Sequence, residues 1–259
     1  MPEDDLSPEL IKQGLGTRFV GRDIRYFPRL ASTMDAGREA ALDGAPEGTV
    51  ILAGEQTAGR GRLKRSWLSP AGCLTFSVVL YPEERFLSFL VMAASLAVAD
   101  TVELAGHVKA AIKWPNDVLV GDKKISGILV ESGHGKDGTD YAVIGIGLNV
   151  NLNPAGCPEI SDSATSLSML TGRSLPRVKV MRQLLARIEL WYGKLCRDEP
   201  VFAAWRGRLS TLGRHVRVQA GPAIYEGLAE DVAPDGELVL RLADGRVLKL
   251  PAGDVTLRV

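Results

Sequence analysis

Between Gln56 and Pro70 the chain reads Gln-Thr-Ala-Gly-Arg-Gly-Arg-Leu-Lys-Arg-Ser-Trp-Leu-Ser-Pro. The run is basic and polar with two glycines, which is the composition of a loop. Gly59 and Gly61 free the backbone for unusual dihedrals and for close approach to a ligand. Arg60, Arg62 and Arg65 present forked donors suited to phosphate or carboxylate. Trp67 offers a flat face for a ring. Taken alone, Gly-Arg-Gly-Arg reads first as a solvated basic loop or a Gly-Arg nucleic-acid contact. Two phosphate motifs are excluded. No Gly-Lys-Ser/Thr follows the glycines, so this is not a P-loop, and the third glycine of the dinucleotide fingerprint is absent.

Two further stretches carry chemistry. Lys113-Trp114-Pro115-Asn116-Asp117 crowds a lysine, an amide and a carboxylate at the start of a strand, with Pro115 fixing the backbone. On the same hairpin, Lys123-Lys124-Ile125-Ser126-Gly127 precedes the apolar Ile128-Leu129-Val130. A lysine entering an apolar strand beside a glycine either points into a pocket or belongs to a charged turn. Gly145-Ile146-Gly147-Leu148-Asn149-Val150-Asn151 places small residues inside a strand. That pattern marks close approach by a ligand or another backbone, or a bulge ending in a turn asparagine.

The elements that must position these residues follow from patterning. Ser7-Pro8-Glu9 opens a short helix that Gly14 and Gly16 end, too short for a helix-turn-helix reader. Residues 18–27 read as a strand. Ser32-Thr33 caps a helix that stops near Gly44, and residues 49–53 form a buried strand. A strand over 73–81 ends at Pro82, and a long helix follows over 84–105. Residues 112–120 and 124–132 read as paired strands joined at Gly121-Asp122, with another strand over 141–151. Met181, Leu184, Leu185, Ile188, Trp191, Tyr192 and Leu195 form a helical stripe, so both aromatics belong to the core. Beyond Ser210, β-like runs at 215–219, 224–232, 237–242 and 246–250 alternate with turns at Gly221-Pro222, Asp235-Gly236 and Asp244-Gly245. They predict a small barrel. The expected organisation is a short N-terminal helix over 1–17, a main domain over 18–209 and the barrel over 210–259.

Composition bounds the function. Lys+Arg and Asp+Glu both total 31, so the formal net charge is zero and any anion site must be local. A chain built to hold nucleic acid carries a basic excess. Cys73, Cys157 and Cys196 are odd in number and match no metal spacing, which fits reduced thiols in a reducing compartment. Met1 to Asp5 is acidic and no apolar signal core follows, so the expected location is the cytoplasm. The most apolar stretch, 86–99, is too short for a bilayer and is interrupted by Ser88 and Ser95.

In combination and order, these pieces resemble the biotin protein ligase family. The matching residues are Ser32-Thr33, Gln56 with Gly59-Arg60-Gly61-Arg62 and Trp67, Lys113 to Asp117, Lys124 with Gly127, and Gly145 to Asn149. The resemblance implies an α/β (α+β) catalytic domain with a mixed sheet, related to class II aminoacyl-tRNA synthetases, plus a small C-terminal SH3-like barrel. It implies that biotin and ATP form biotinyl-5′-adenylate and that an acceptor lysine then takes the biotin. Lys124, Arg60 and Arg62 would be the catalytic cations. Ser32, Thr33, Gln56, Gly59, Arg60, Lys124 and Gly127 would bind biotin. Arg62, Arg65, Trp67, Asn116, Asp117 and Asn149 would bind the nucleotide, with Asp117 placing Mg²⁺ or the incoming lysine. The implied partner is the biotin carboxyl carrier protein of a biotin-dependent carboxylase, met by a monomer or homodimer with no DNA and no membrane. Met34 departs from the family, in which asparagine is common after Ser-Thr. Lipoate and octanoate ligases share the fold, but the arginine loop and Lys-Trp-Pro-Asn-Asp favour biotin. A non-enzymatic nucleic-acid regulator built on Arg60 to Arg65 is opposed by the balanced charge.

Overall fold

The computed structural model describes residues 6–135, 138–251 and 253–257; the acidic Met1 to Asp5 lies outside them. Helix α1 (Pro8–Lys12) is capped by Ser7, whose Oγ accepts from the Leu10 N–H at 3.2 Å. There follow β1 (Ile24–Leu30), α2 (Thr33–Leu42), β2 (Val50–Gln56) and β3 (Cys73–Leu80). A 3₁₀ segment, Glu84–Phe89, leads into α3 (Leu90–Gly106). Next come β4 (Ala111–Lys113), β5 (Asp117–Val120), β6 (Lys123–His134) and β7 (Asp140–Asn149), then α4 (Leu167–Thr171), α5 (Arg177–Cys196) and α6 (Val201–Arg206). The seven strands form one mixed sheet in the order β1-β2-β3-β7-β6-β5-β4, with only the β1–β2 pair parallel.

The pleat sorts side chains to two faces with a period of two. Leu74, Phe76, Val78 and Leu80 of β3 join Ala142, Ile144, Ile146 and Leu148 of β7 in the main core, together with α3 and α5. The opposite face takes α2, where Met34, Ala40 and Ala41 pack with Ile51, Val79, Tyr141 and Val143. Glu84–Gly106 spans 23 residues and has the length and hydropathy of a membrane span, so the apolar segment is longer than 86–99 predicts. Its sides are nevertheless taken by α5, α6 and the sheet. All three cysteines are free, and burial pushes the Cys73 thiol up to about 12.

Three local expectations change. The strand predicted over 18–27 begins only at Ile24. Gly21 turns with φ +77°, and the Glu189 carboxylate on α5 takes the backbone N–H groups of Arg18, Phe19 and Val20 at 2.8–3.0 Å. Those donors are therefore unavailable to a sheet. The strand predicted over 112–120 is two strands, β4 and β5. They are separated by a turn that contains the cis Trp114-Pro115 peptide and is closed by the Lys113–Asp117 pair. After α6 the chain forms β8 (His215–Ala220), β9 (Ala223–Val232), β10 (Leu238–Leu242), β11 (Val247–Leu250) and an unforeseen β12 (Asp254–Leu257). These make an antiparallel sheet in the order β11-β10-β9-β8-β12. Trp114 joins the two sheets. Its backbone N–H donates to Thr211 Oγ1 at 2.9 Å and its indole N–H to the Gly236 carbonyl at 2.8 Å.

Burial works against ionisation of Glu189, but the N–H groups of Phe19, Arg18 and Val20 outweigh it and hold the pKa below its usual value. A depressed carboxylate contributes stability that is present above the unfolded pKa and lost as pH falls through the folded one. Glu189→Gln should therefore cost about 2 kcal/mol at neutral pH, or roughly 5 °C in Tm. The gap from wild type should close as pH drops below the ordinary glutamate range. Thermal melts from pH 7 to pH 3 check this, and a pH-independent gap contradicts it.

Candidate active site

On the α2 side of the sheet, three rows run across β3, β7 and β6. Val79, Val143 and Glu131 are aligned in the first, Ser77, Gly145 and Leu129 in the second, and Thr75, Gly147 and Gly127 in the third. Helix α2 lies over the first row through Gly37, where a Cβ would come within 2.8 Å of Val143. Met34, in the first turn of α2, covers the second row, and its sulfur would lie 2.5 Å from a Cβ at Gly145. The third row lies beyond the helix. Its two glycines leave a shallow floor, and the Trp67 indole rests on it. A Cβ at Gly147 would fall 2.1–2.4 Å from the ring, and one at Gly127 3.0 Å from it.

Trp67 reaches this floor because Gln56 to Pro70 folds as a hairpin rather than an open loop. Trp67 N–H donates to the Gly59 carbonyl at 2.9 Å, Gly61 N–H to Arg65 O at 2.7 Å, and Arg60 pairs with Ser66. Gly59 is required at the hairpin base, since a Cβ there would stand 2.4 Å from the Trp67 carbonyl. Beneath the hairpin is a cavity of about 130 Å³ lined by Thr33, Gln56, Arg62, Asn116, Asp117 and Lys124, among others. Small-molecule sites usually enclose roughly 300 Å³ or more. At this volume the cavity is narrow, and the hairpin residues Arg62, Ser66 and Trp67 form part of its wall.

Charge is concentrated at one end of the third row. Lys124 Nζ lies 2.7 Å from Asp117 Oδ1 and 5.4 Å from the Trp67 ring centre. The β5–β6 register shifts between Val118 and Leu119, which pair with Ser126 and Lys124, so a bulge lies beside Lys124. Arg62 Nη1 donates to Asn116 Oδ1 at 3.1 Å, and Asn116 Nδ2 donates to the Ile128 carbonyl at 2.8 Å. Burial lowers the Arg62 pKa from its usual value, against the opposing pull of Asp117 and Asp254. Two cations thus converge under a tryptophan lid, each steadied by a neighbour from the Lys113–Asp117 turn. The other end of the site is uncharged. Gln56 Oε1 accepts from Thr33 N at 2.7 Å and Thr33 Oγ1 at 3.0 Å, and Ser77 Oγ donates to Thr33 Oγ1 at 2.9 Å.

The arrangement can hold an acid with a neutral polar head, its carboxylate directed at Lys124 and Arg62. The profile of the Biotin/lipoate A/B protein ligase family matches residues 26–149, and that of the Biotin protein ligase C terminal domain matches residues 211–258. The bifunctional ligase/repressor BirA of Bacillus subtilis is 34% identical over 97% of this chain and 79% of its own length. The biotin–(acetyl-CoA-carboxylase) ligase of Mycobacterium tuberculosis is 34% identical over 97% of both chains. The chain belongs to the biotin protein ligase family. Within the family, the biotin protein ligase of Aquifex aeolicus, solved with biotin and ATP, superposes with a TM-score of 0.77. It is 29% identical and the match covers 92% of this chain and 99% of that one.

Most residues singled out in the sequence come together around the cavity, namely Thr33, Gln56, Arg60, Arg62, Arg65, Trp67, Asn116, Asp117, Lys124 and Gly127. Gly59 stands behind them at the hairpin base. Ser32 is 2% exposed and its hydroxyl has no partner among the described residues. Three of the expected site residues are held by partners within the protein. Arg60, expected as one of the catalytic cations, has its guanidinium held at the rim by Asp35 at 3.0 Å and Glu131 at 2.9 Å. Arg65 turns to Asp254 at the start of β12. Asn149, expected near the nucleotide, is 4% exposed and donates to the Thr165 carbonyl at 3.0 Å, outside the cavity lining. Sequence reasoning missed Thr75, Met34 as the cover over Gly145, and Asp254. Polar Thr75 and Ser77, two apart in an otherwise apolar strand, were the legible signal for the first.

The glycine floor gives a direct test. Gly147→Ala should displace the Trp67 ring and with it the hairpin, while the strand itself persists. Trypsin cleavage at Arg62 and Arg65 should speed up severalfold with little change in Tm. Unchanged cleavage would mean that Trp67 does not rest on Gly147.

Proposed function

We propose that the protein is an ATP-dependent biotin protein ligase acting in the cytoplasm on a biotin carboxyl carrier domain. The observation that carries the reading is the convergence of Lys124 and Arg62 over the Gly127–Gly147 floor, under Trp67. In the first step the biotin carboxylate attacks the α-phosphorus of ATP. A new C(O)–O–P linkage forms, the bond to the leaving pyrophosphate breaks, and biotinyl-5′-adenylate remains. Two anionic groups must meet in this step, so cations fixed beforehand lower its barrier most. Lys124 would sit between the carboxylate and the α-phosphate, and Arg62 on the phosphates. In the second step the neutral amine of the acceptor lysine attacks the acyl carbon, the acyl–oxygen bond breaks, AMP leaves, and the nitrogen gives up one proton to solvent.

Ser32, Thr33, Gln56 and Gly59 would frame the biotin ring system, with the self-bonded Thr33–Gln56–Ser77 group holding the wall in place, and Gly127 would lie under the acid end. Arg65, Trp67, Asn116 and Asp117 would serve the nucleotide. Arg60 would act through the hairpin, tying it to α2 and β6 through Asp35 and Glu131. Asp117 and Asp254 are carboxylates of the cavity wall that suit a phosphate-bound Mg²⁺, which takes one or two carboxylates and keeps the rest of its shell in water and phosphate. When bound, the ion neutralises phosphate charge. The hairpin has a second role, since an acyl adenylate hydrolyses where water reaches it. Seated over the intermediate, Trp67 would exclude water until the acceptor arrives. The C-terminal family match and the two ligase relatives support biotin over lipoate. The zero net charge gives no general attraction to DNA.

Biotin-dependent exchange of labelled pyrophosphate into ATP tests the reading. Wild type should catalyse it. Lys124→Met should lose about 10²–10³ of the rate, with the melting temperature largely retained because the lysine is about a third exposed and methionine keeps its length. Near-normal exchange by the variant refutes the role of Lys124, and no exchange by wild type refutes the activity.

A further inference from the structure

Thr75 lies on β3 in the row that ends at the glycine floor, and its side chain lines the cavity. It is only 4% exposed, and its hydroxyl has no hydrogen-bond partner among the described residues. The neighbouring hydroxyls are already engaged. Ser77 donates to Thr33, Thr33 donates to Gln56, and the Gln56 amide donates to Ser69 at 3.2 Å. Along its own row, Thr75 is flanked by Ala53 and Gly147, neither of which has a polar side chain. A buried hydroxyl left unpaired is costly, and valine would fill the same shape without that cost. The polar atom is therefore best explained by a group that arrives with the ligand.

Position selects the kind of group. Lys124 and Arg62 lie at the β6 and hairpin side, where a carboxylate and phosphates belong. Thr75 is two strands away from Gly127, roughly 10 Å across the sheet. It faces the part of the ligand remote from the acid. We infer that Thr75 is a further recognition residue, its hydroxyl donating to a neutral acceptor on the ring system of the bound acid. The inference rests on the biotin reading above. In biotin the acceptor is the ureido carbonyl or the ring sulfur.

Direct binding of biotin and of desthiobiotin, which keeps the ureido group and lacks the sulfur, tests this by calorimetry on wild type, Thr75→Val and Thr75→Ser. Valine keeps the β-branched shape that suits the strand. Thr75→Val should weaken biotin binding by about five- to tenfold, the worth of one hydrogen bond, and Thr75→Ser should restore it to within about twofold. A loss shared by desthiobiotin places the hydroxyl on the ureido carbonyl, and a loss confined to biotin places it on the sulfur. Wild-type affinity in Thr75→Val, or a loss that serine does not relieve, overturns the assignment. A wild-type protein that binds neither ligand would instead remove the biotin reading on which the assignment stands.

Discussion

A sheet face between two layers has to be covered by side chains, by a helix or by a ligand. Here one face of β3, β7 and β6 is covered in graded steps. Helix α2 lies on the Val79–Val143 row, Met34 on Gly145, and Trp67 on Gly147 and Gly127. The first step depends on the missing Cβ of Gly37 in the helix, the other two on glycines in the strands below. Methyl groups at 145 and 147 would lift both Met34 and Trp67 and fill the space a ligand needs. The other face of the same strands is packed with large aliphatic residues against α3 and α5, so the floor cannot yield by bending away.

The cover over the third row is of a different kind from the rest. The hairpin is held by a few backbone hydrogen bonds and by ion pairs at its margins, Arg60 with Asp35 and Glu131, and Arg65 with Asp254. These pairs are substantially exposed, and exposed pairs are worth only about 0–1 kcal/mol each. The hairpin therefore has a defined seat but a weak hold on it. The Lys124–Asp117 pair is less exposed and belongs to the rigid sheet. A stable charged floor beneath a loosely tied lid suits chemistry that must first exclude water and then admit a protein side chain.

Much of this was written locally in the sequence. The Gly145-x-Gly147 spacing in a strand, Lys124 ahead of Gly127, and the basic glycine loop each carry their meaning within a few residues. What escaped depends on distant partners. The ion pairs of Arg60 with Asp35 and Glu131 are set by the fold and have no local signal. Residues 18–23 have the composition of a strand, but Glu189, some 170 positions later, takes their N–H groups. Strand β12 is short and follows Pro251, and it is defined by pairing with β8 rather than by its own pattern. The turn at Trp114-Pro115 interrupts what reads as one apolar strand, and its indole donates to Gly236, a distant partner in the turn between β9 and β10.

On the proposed function, bound ligand replaces a loosely held hairpin contact with a tight one over a fixed glycine floor. Amide hydrogen exchange across residues 59–67, measured without ligand and with biotin plus ATP, tests it most directly. The expected result is fast exchange at these amides in the free protein and strong slowing with both ligands, while β3 and β7 stay protected throughout. Equal exchange at residues 59–67 with and without saturating ligands would contradict it.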